Sequence, residues 1–561
     1  MDKQRSIKNI SVSIAFRILI LIGNILVRRY LIRYIGNDVN GLNALFLSII
    51  GFLSVAELGI GTAITFCMYK PIVEGNNDKV SALYCLFKKI YLIIGAIIAV
   101  SGCAILPLLP YFAKNYQAID VNLYLTFALM LFSVVLTYAF SAKISLVNAY
   151  KNNYITTTIN SGGLLLQYVL QIVLLILTSS FVWYLVCRSV AVIFQWTITE
   201  IITRKKYKAI IINKQKIDQE TKAEVVKNVK AMFMHKIGNV LVNTADSIII
   251  SSFIGVAILG KYSNYTTIMA AMTGTIVLFF TPLTSIIGHL FIEENADASN
   301  RYCNFFYVFN YIIGCVFFLG YYSVIDNLIT LFFGGELLLR KSVSFVITLN
   351  YFVQFMKSTV GLFRDASGTF YYDRWKPIVE GIINIGLSIG FVYLFKYLWG
   401  DDFAVVGVIV ATIITNLLIC HVVEPHVLYK YAFKKSPKNY YIRNYMCIVI
   451  FAGALTALHF SLLNINNTWG ELFANGAISL AFSFGIAAAV VALNKDFRHY
   501  IHNITSKLFG RKRHNQQQEV AETTAETETV EASEPFAQSS VQEPVAPTVT
   551  DNDKPEPTIP E

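Results

Sequence analysis

Apolar runs long enough to cross a membrane recur along the whole chain, separated by short polar stretches. About fourteen can be marked, at roughly 10–33, 42–67, 86–110, 121–146, 155–179, 181–203, 231–255, 262–289, 302–325, 342–363, 376–398, 403–428, 442–464 and 470–493. A helix needs about 20 apolar residues to cross the hydrocarbon core of a bilayer. The pattern therefore predicts an all-α polytopic membrane protein with about 14 transmembrane helices. The first run, SVSIAFRILILIGNIL from Ser11 to Leu26, holds one charge, Arg17. A guanidinium at mid-helix costs about 2.5–3.5 kcal/mol on insertion scales, so such a residue is paired or functional.

Composition agrees with this reading. Hydrophobic residues make up 55% of the chain and charged residues only 14%, against about 25% charged in soluble proteins. The formal charge is +11, but residues 515–561 hold eleven acidic residues and one lysine, which leaves +21 on the rest. Part of that excess is topological. With the N-terminus inside, 32 Lys and Arg fall in inner segments and 7 in outer ones. By the positive-inside rule both termini are cytoplasmic. The expected location is a bacterial cytoplasmic (inner) membrane, crossed many times.

The expected organisation follows. Transmembrane helices of an N-lobe occupy 1–203, and a basic cytoplasmic loop, 204–230, joins the lobes. C-lobe helices occupy 231–428 and the last two helices 429–495. A cytoplasmic tail, 496–561, is disordered and acidic from about 515, because it holds too few apolar residues for a core. The N-terminal run lacks a cleavage site and continues as a span. The eight cysteines are scattered, without a C-x-x-C pair. They read as small core residues, so neither a metal site nor a cofactor is expected.

An internal repeat sharpens the picture. Shifted by 219 residues, Asn24 meets Asn243, Gly36 meets Gly255, Gly41 meets Gly260 and Arg17 meets Lys236. Ser13, Arg17, Asn24 and Arg28 share one helical stripe, matched by Met232, Lys236, Asn243 and Ser247, with Asn239 and Asp246 on or near it. Polar stripes in repeated halves predict a central cationic cleft at the repeat interface. Arg17, Lys236, Lys357 and Arg188 are its candidate substrate-binding cations, with Arg188 also within snorkelling reach of the outer face. Asn24, Asn239 and Asn243 are candidate polar lining. Glu57 and Asp246 are candidates for ion coupling or for structural pairing, and an Arg17–Glu57 ion pair is the plain structural alternative. Lys143 and Lys396, near span ends, read as structural.

No P-loop, H-E-x-x-H, G-x-S-x-G or large outer loop is present in the sequence, so the reading is a transporter and not an enzyme. The stretch GLNALFLSIIGFLSVAELGIGTAI (Gly41–Ile64), then MYKPIVEGNNDKV, resembles Wzx-type polysaccharide flippases. So does FRDASGTFYYDRWKPIVEGIINIGLSI (Phe363–Ile389). These belong to the multidrug, oligosaccharidyl-lipid and polysaccharide exporter superfamily, and the resemblance covers roughly 5–495. It implies two lobes around a cationic cleft, and transfer of undecaprenyl-diphosphate-linked oligosaccharide from the cytoplasmic to the outer leaflet for surface polysaccharide synthesis. Alternating access, driven by an ion gradient or the membrane potential, is the implied mechanism. The implied partners are the lipid-linked cargo, the bilayer, a polysaccharide polymerase and glycosyltransferases; no nucleic acid is expected. The alternatives are a multidrug or organic-cation antiporter of the same fold and a flippase for lipid-linked peptidoglycan precursor.

Overall fold

The computed structural model describes residues 2–54, 60–213, 219, 244–280, 283–293, 295–463, 469–494 and 497–498, and no strand occurs among them. The helices are α1 (Asp2–Tyr34), α2 (Asn37–Leu53), α3 (Ile60–Val73), α4 (Asn77–Ile105), α5 (Leu123–Ala149), α6 (Asn153–Thr178) and α7 (Phe181–Lys206) in the first half. The second half has α8 (Thr244–Ile254), α9 (Val256–Phe280), α10 (Leu283–Glu293), α11 (Ala296–Phe332), α12 (Lys341–Met356) and α13 (Ser358–Ala366). It continues with α14 (Lys376–Trp399), α15 (Ala404–Phe433), α16 (Lys438–Ser461) and α17 (Trp469–Leu493). Nine helices among the described residues are long and apolar enough to cross a membrane.

In one place where the apolar pattern reads one span, the structure has two pieces. The run 342–363 is divided at Lys357 between α12 and α13. Hydropathy averages over such breaks, because the residues on both sides remain apolar. Several starts carry side-chain caps: Asn76, Asn122 and Asn295 accept from the backbone N–H of Lys79, Leu125 and Ala298.

The described residues up to Leu493 form one compact unit. The acidic tail, most of the 204–230 loop, Glu57, Lys236, Asn239 and Asn243 lie outside the described residues. In the first half α5 packs on α4 and α7, and α6 on α7 and α1; in the second, α14 packs on α15 and α11 on α17.

The repeat is visible in space. Gly36 and Gly255 share one backbone state, φ 115° ψ 163° and φ 144° ψ 161°, which side chains disfavour. Each turns the chain into the next helix, α2 or α9, and those two helices cross. A Cβ on Gly41 would lie 1.9 Å from Val256 O, and one on Gly260 would lie 2.4 Å from Asn37 O. At the 219-residue shift, Val256 is the counterpart of Asn37. Each glycine thus meets the repeat counterpart of the other's partner, as a pseudo-two-fold contact requires.

A buried ion network holds the opposite end of the second half. Arg364 donates to Asp373 at 2.7 Å and lies 3.5 Å from Glu424. Lys376 bridges Glu424 at 2.5 Å and Glu380 at 3.0 Å. Removing one member of a buried pair strands a charge and costs about 3–5 kcal/mol. Glu424→Gln is therefore expected to lower the unfolding temperature of the purified protein clearly. Adding Lys376→Met should restore part of the loss. A single variant as stable as the parent would show that the network carries no stability.

Candidate functional site

The hydrogen bonds that join the halves cluster at one end of the bundle, the end expected outside and here termed the outer end. Asn37 Nδ2 donates to Ala257 O at 2.8 Å, and buried Asn40 donates to Gly260 O, Ser263 and Asn264. The 112–114 segment joins them: Ser252 Oγ donates to Phe112 O, and Lys114 Nζ donates to Phe253 O at 2.8 Å.

The polar stripe on α1 faces α9. Near the outer end, Arg28 Nη1 donates to Ser263 Oγ at 2.9 Å and Asn264 Oδ1 at 3.0 Å. Eleven residues earlier, Arg17 reaches the same helix: a Cβ placed on Gly274 would lie 2.5 Å from its Nη2. Eleven residues are about 16 Å of helix and close to three full turns, so both arginines share a face. Asn24 lies between them and is exposed, as is Arg17. α1 packs on α6 and α2, and its long arginines span the remaining distance to α9. Among the described residues no carboxylate forms an ion pair with Arg17 or Arg28.

The other candidate cations are placed differently. Arg188, on α7, is half-buried beside Tyr168 and Tyr184 and also has no described carboxylate partner. Lys357 lies in the break between α12 and α13 and donates to Asn416 Oδ1 at 3.1 Å, inside the second half. The structure thus brings Arg17, Asn24 and Arg28 onto one seam between the halves, and leaves Lys357 within one half. Lys143 pairs with Glu200, and Lys396 pairs with Asp401 at 2.8 Å, as expected of structural cations.

Asp246 is buried on α8 and gathers neutral oxygens. Thr412 Oγ1 donates to its carboxylate at 3.1 Å, and Asn384 Nδ2 donates to that hydroxyl at 2.9 Å. Asn384 Oδ1 and, one turn on along α14, Ser388 Oγ are buried without a hydrogen-bond partner. One carboxylate among amide and hydroxyl oxygens suits a hard monovalent cation or a proton better than a divalent ion, which gathers more charge. No cluster of His, Cys, Asp or Glu suited to a metal ion occurs among the described residues. Sequence reading missed Thr412 and Ser388, because single hydroxyls in apolar helices are common. It placed Arg28 on the stripe without ranking it, because Arg28 lies near a helix end where arginine is ordinary.

An apolar cavity of about 360 Å³ opens between the halves, lined by Phe52, Tyr111, Phe112, Ile248, Ile385 and Ile389 among others.

Fold and site together define, among the described residues, an all-α arrangement of two pseudo-repeated halves whose helices include nine long and apolar enough to cross a membrane. No protein family matches the chain, and no curated protein matches it in sequence. Among solved structures, the inward-facing form of a multidrug resistance transporter of the MATE family is similar, with a TM-score of 0.57 at 12% identity, covering 78% of this chain and 98% of that one. The lipid II flippase MurJ, in an inward closed conformation, is similar with a TM-score of 0.57 at 13% identity, covering 86% and 98%. At such identities the likeness establishes the fold alone.

Proposed function

We propose that this chain flips an undecaprenyl-diphosphate-linked oligosaccharide from the cytoplasmic to the outer leaflet by alternating access, in the service of surface polysaccharide synthesis. The observation that carries this reading is the stripe of Arg17 and Arg28. It lies between the halves, has no described carboxylate partner and reaches α9 at two depths. A cation in a poorly solvated cleft attracts a diphosphate far more strongly than it would in water, and guanidinium offers two parallel donors to phosphate oxygens. An organic-cation antiporter would call for the opposite charge along this seam.

The cluster at outer-end contacts supports a resting state closed at that end. Lys236, matched to Arg17 by the repeat, is proposed to line the same cleft, with Asn24, Asn239 and Asn243 as neutral lining. The apolar cavity between the halves suits part of a polyprenyl chain. Asp246, with Thr412, Asn384 and Ser388, is proposed as the site where a monovalent cation or proton couples to the cycle. Glu57 serves this coupling or pairs with Arg17. Polymerase and glycosyltransferases are the proposed partners in the same membrane.

Reconstituted vesicles test the reading with three cargoes: an undecaprenyl-diphosphate oligosaccharide, lipid II and a fluorescent organic cation. Flipping of the oligosaccharide lipid well above the rate in protein-free vesicles is expected, with no cation export. Transport of the organic cation alone would refute the proposal. Preference for lipid II would replace the glycan while keeping the diphosphate.

A further inference from the structure

The outer end of α1 carries Arg28, Arg29 and Arg33 on the side where the positive-inside rule disfavours cations. Arg28 is drawn into the seam. Arg188 on α7 joins it: Arg28 lies six residues before the end of α1 and Arg188 seven after the start of α7. Both are thus about 10 Å in from the outer end by helix rise. Tyr184, buried on α7 one turn before Arg188, interacts electrostatically with both guanidiniums, and the ring of Tyr168 on α6 lies against α1, 2.5 Å from a Cβ placed on Gly23.

Two half-buried cations therefore lie at one depth, with phenols near them and no described carboxylate partner. Like charges in a poorly solvated interior repel, and unpaired buried charge is costly. The closed seam leaves other groups unspent as well. Asn264 Nδ2 and Asn40 Oδ1, both beside Arg28, are buried without partners. An unmade buried hydrogen bond weakens the arrangement that contains it. The neutral oxygens of Ser263 and Asn264 hold Arg28 only weakly compared with an anion. This seam is built to exchange its contents.

We infer that Arg28 and Arg188, with the hydroxyls of Tyr168 and Tyr184, form a second, outer site for the diphosphate of the lipid-linked cargo. The inference rests on the flippase reading and deepens it. Arg17 receives the diphosphate at the inner part of the cleft. The headgroup then moves about 16 Å along the stripe. At the outer site it replaces Ser263 and Asn264 as the partner of Arg28, which frees α9 from α1 and opens the outer seal. Cargo in this scheme opens its own exit, and no covalent step is involved.

The test uses the full chain in nanodiscs and reads the unfolding temperature with undecaprenyl diphosphate, undecaprenyl monophosphate or neutral undecaprenol. The diphosphate lipid is expected to raise the unfolding temperature of the parent most, and undecaprenol to leave it unchanged. Arg17→Ala should retain part of that rise, because the outer site remains. Adding Arg188→Gln or Arg28→Gln to Arg17→Ala should abolish it, while Arg188→Lys should keep some of it. Without lipid, Arg188→Gln should be at least as stable as the parent, since an unpaired cation has been removed; a purely structural arginine predicts a loss. The outer site is overturned if Arg17→Ala alone abolishes the diphosphate response, or if Arg188→Gln leaves it intact in that background. No response of the parent to any phosphate lipid would instead sink the flippase reading itself.

Discussion

Arg17→Ala is expected to cut flipping of the diphosphate-linked cargo by at least about tenfold, with the protein still inserted at normal levels. A hydrogen bond to a charged group contributes about 1.5–3 kcal/mol, and each 1.4 kcal/mol is a factor of ten. The exposed guanidinium beside Gly274, with no described carboxylate partner, is placed to make such bonds. Arg17→Lys should be partly active, because lysine keeps the charge but loses the planar pair of donors. The structural rival is an ion pair with Glu57. It predicts that adding Glu57→Gln to Arg17→Ala restores transport. Complementation or vesicle flipping of both single variants and the double variant, with expression controls, decides the matter. Recovery in the double variant would end the cargo-binding role for Arg17.

Asp246→Asn is expected to uncouple transport from its driving ion. Flipping should fall to a low rate that no longer responds to an imposed cation or proton gradient. The reason is the composition of the cluster: Asp246 supplies its one carboxylate, and Thr412 and Asn384 supply neutral groups. The variant keeps a hydrogen-bond acceptor for Thr412, so it tests charge more than packing. A bound cation also stabilises the fold by mass action, about 2.7 kcal/mol at one hundred times its dissociation constant. Unfolding temperatures measured in sodium, potassium and choline salts, and across pH, should therefore show a specific response in the parent and none in Asp246→Asn. An unchanged ion response in the variant would reduce Asp246 to a buried partner of Thr412.

The site was legible in part. The stripe of Arg17, Asn24 and Arg28 follows from helical spacing alone, and the structure sets Arg17 and Arg28 against α9 with Asn24 exposed between them along α1. The matched glycines were legible as a repeat, Gly36 with Gly255 and Gly41 with Gly260, though not as a contact. Lys357 was ranked with the cleft on depth within its span. Depth fixes how far a residue lies along a helix and leaves open which neighbour it faces. Its neighbour is Asn416, within one half. The cluster around Asp246 joins α8, α14 and α15 over 166 residues of sequence, as in the bond from Thr412. Threonine, serine and asparagine in apolar runs carry no signal until the helices are set side by side.

The alternation of long apolar runs with short polar links determined by itself that this chain is all-α and membrane-embedded, because a backbone in lipid has to satisfy its hydrogen bonds within each segment. The distribution of Lys and Arg determined the expected sidedness, and the 219-residue register determined that the halves repeat. Only the tertiary structure decided which cations meet. It set Arg28 against Ser263 and Asn264 across the seam and Lys357 against Asn416 within the second half. The physical reason is that helix formation in lipid is local, whereas the rotation and crossing of each helix are set by packing against partners distant in sequence. Here the closest of those contacts is the crossing of α2 and α9, where Gly41 and Gly260 let two backbones touch.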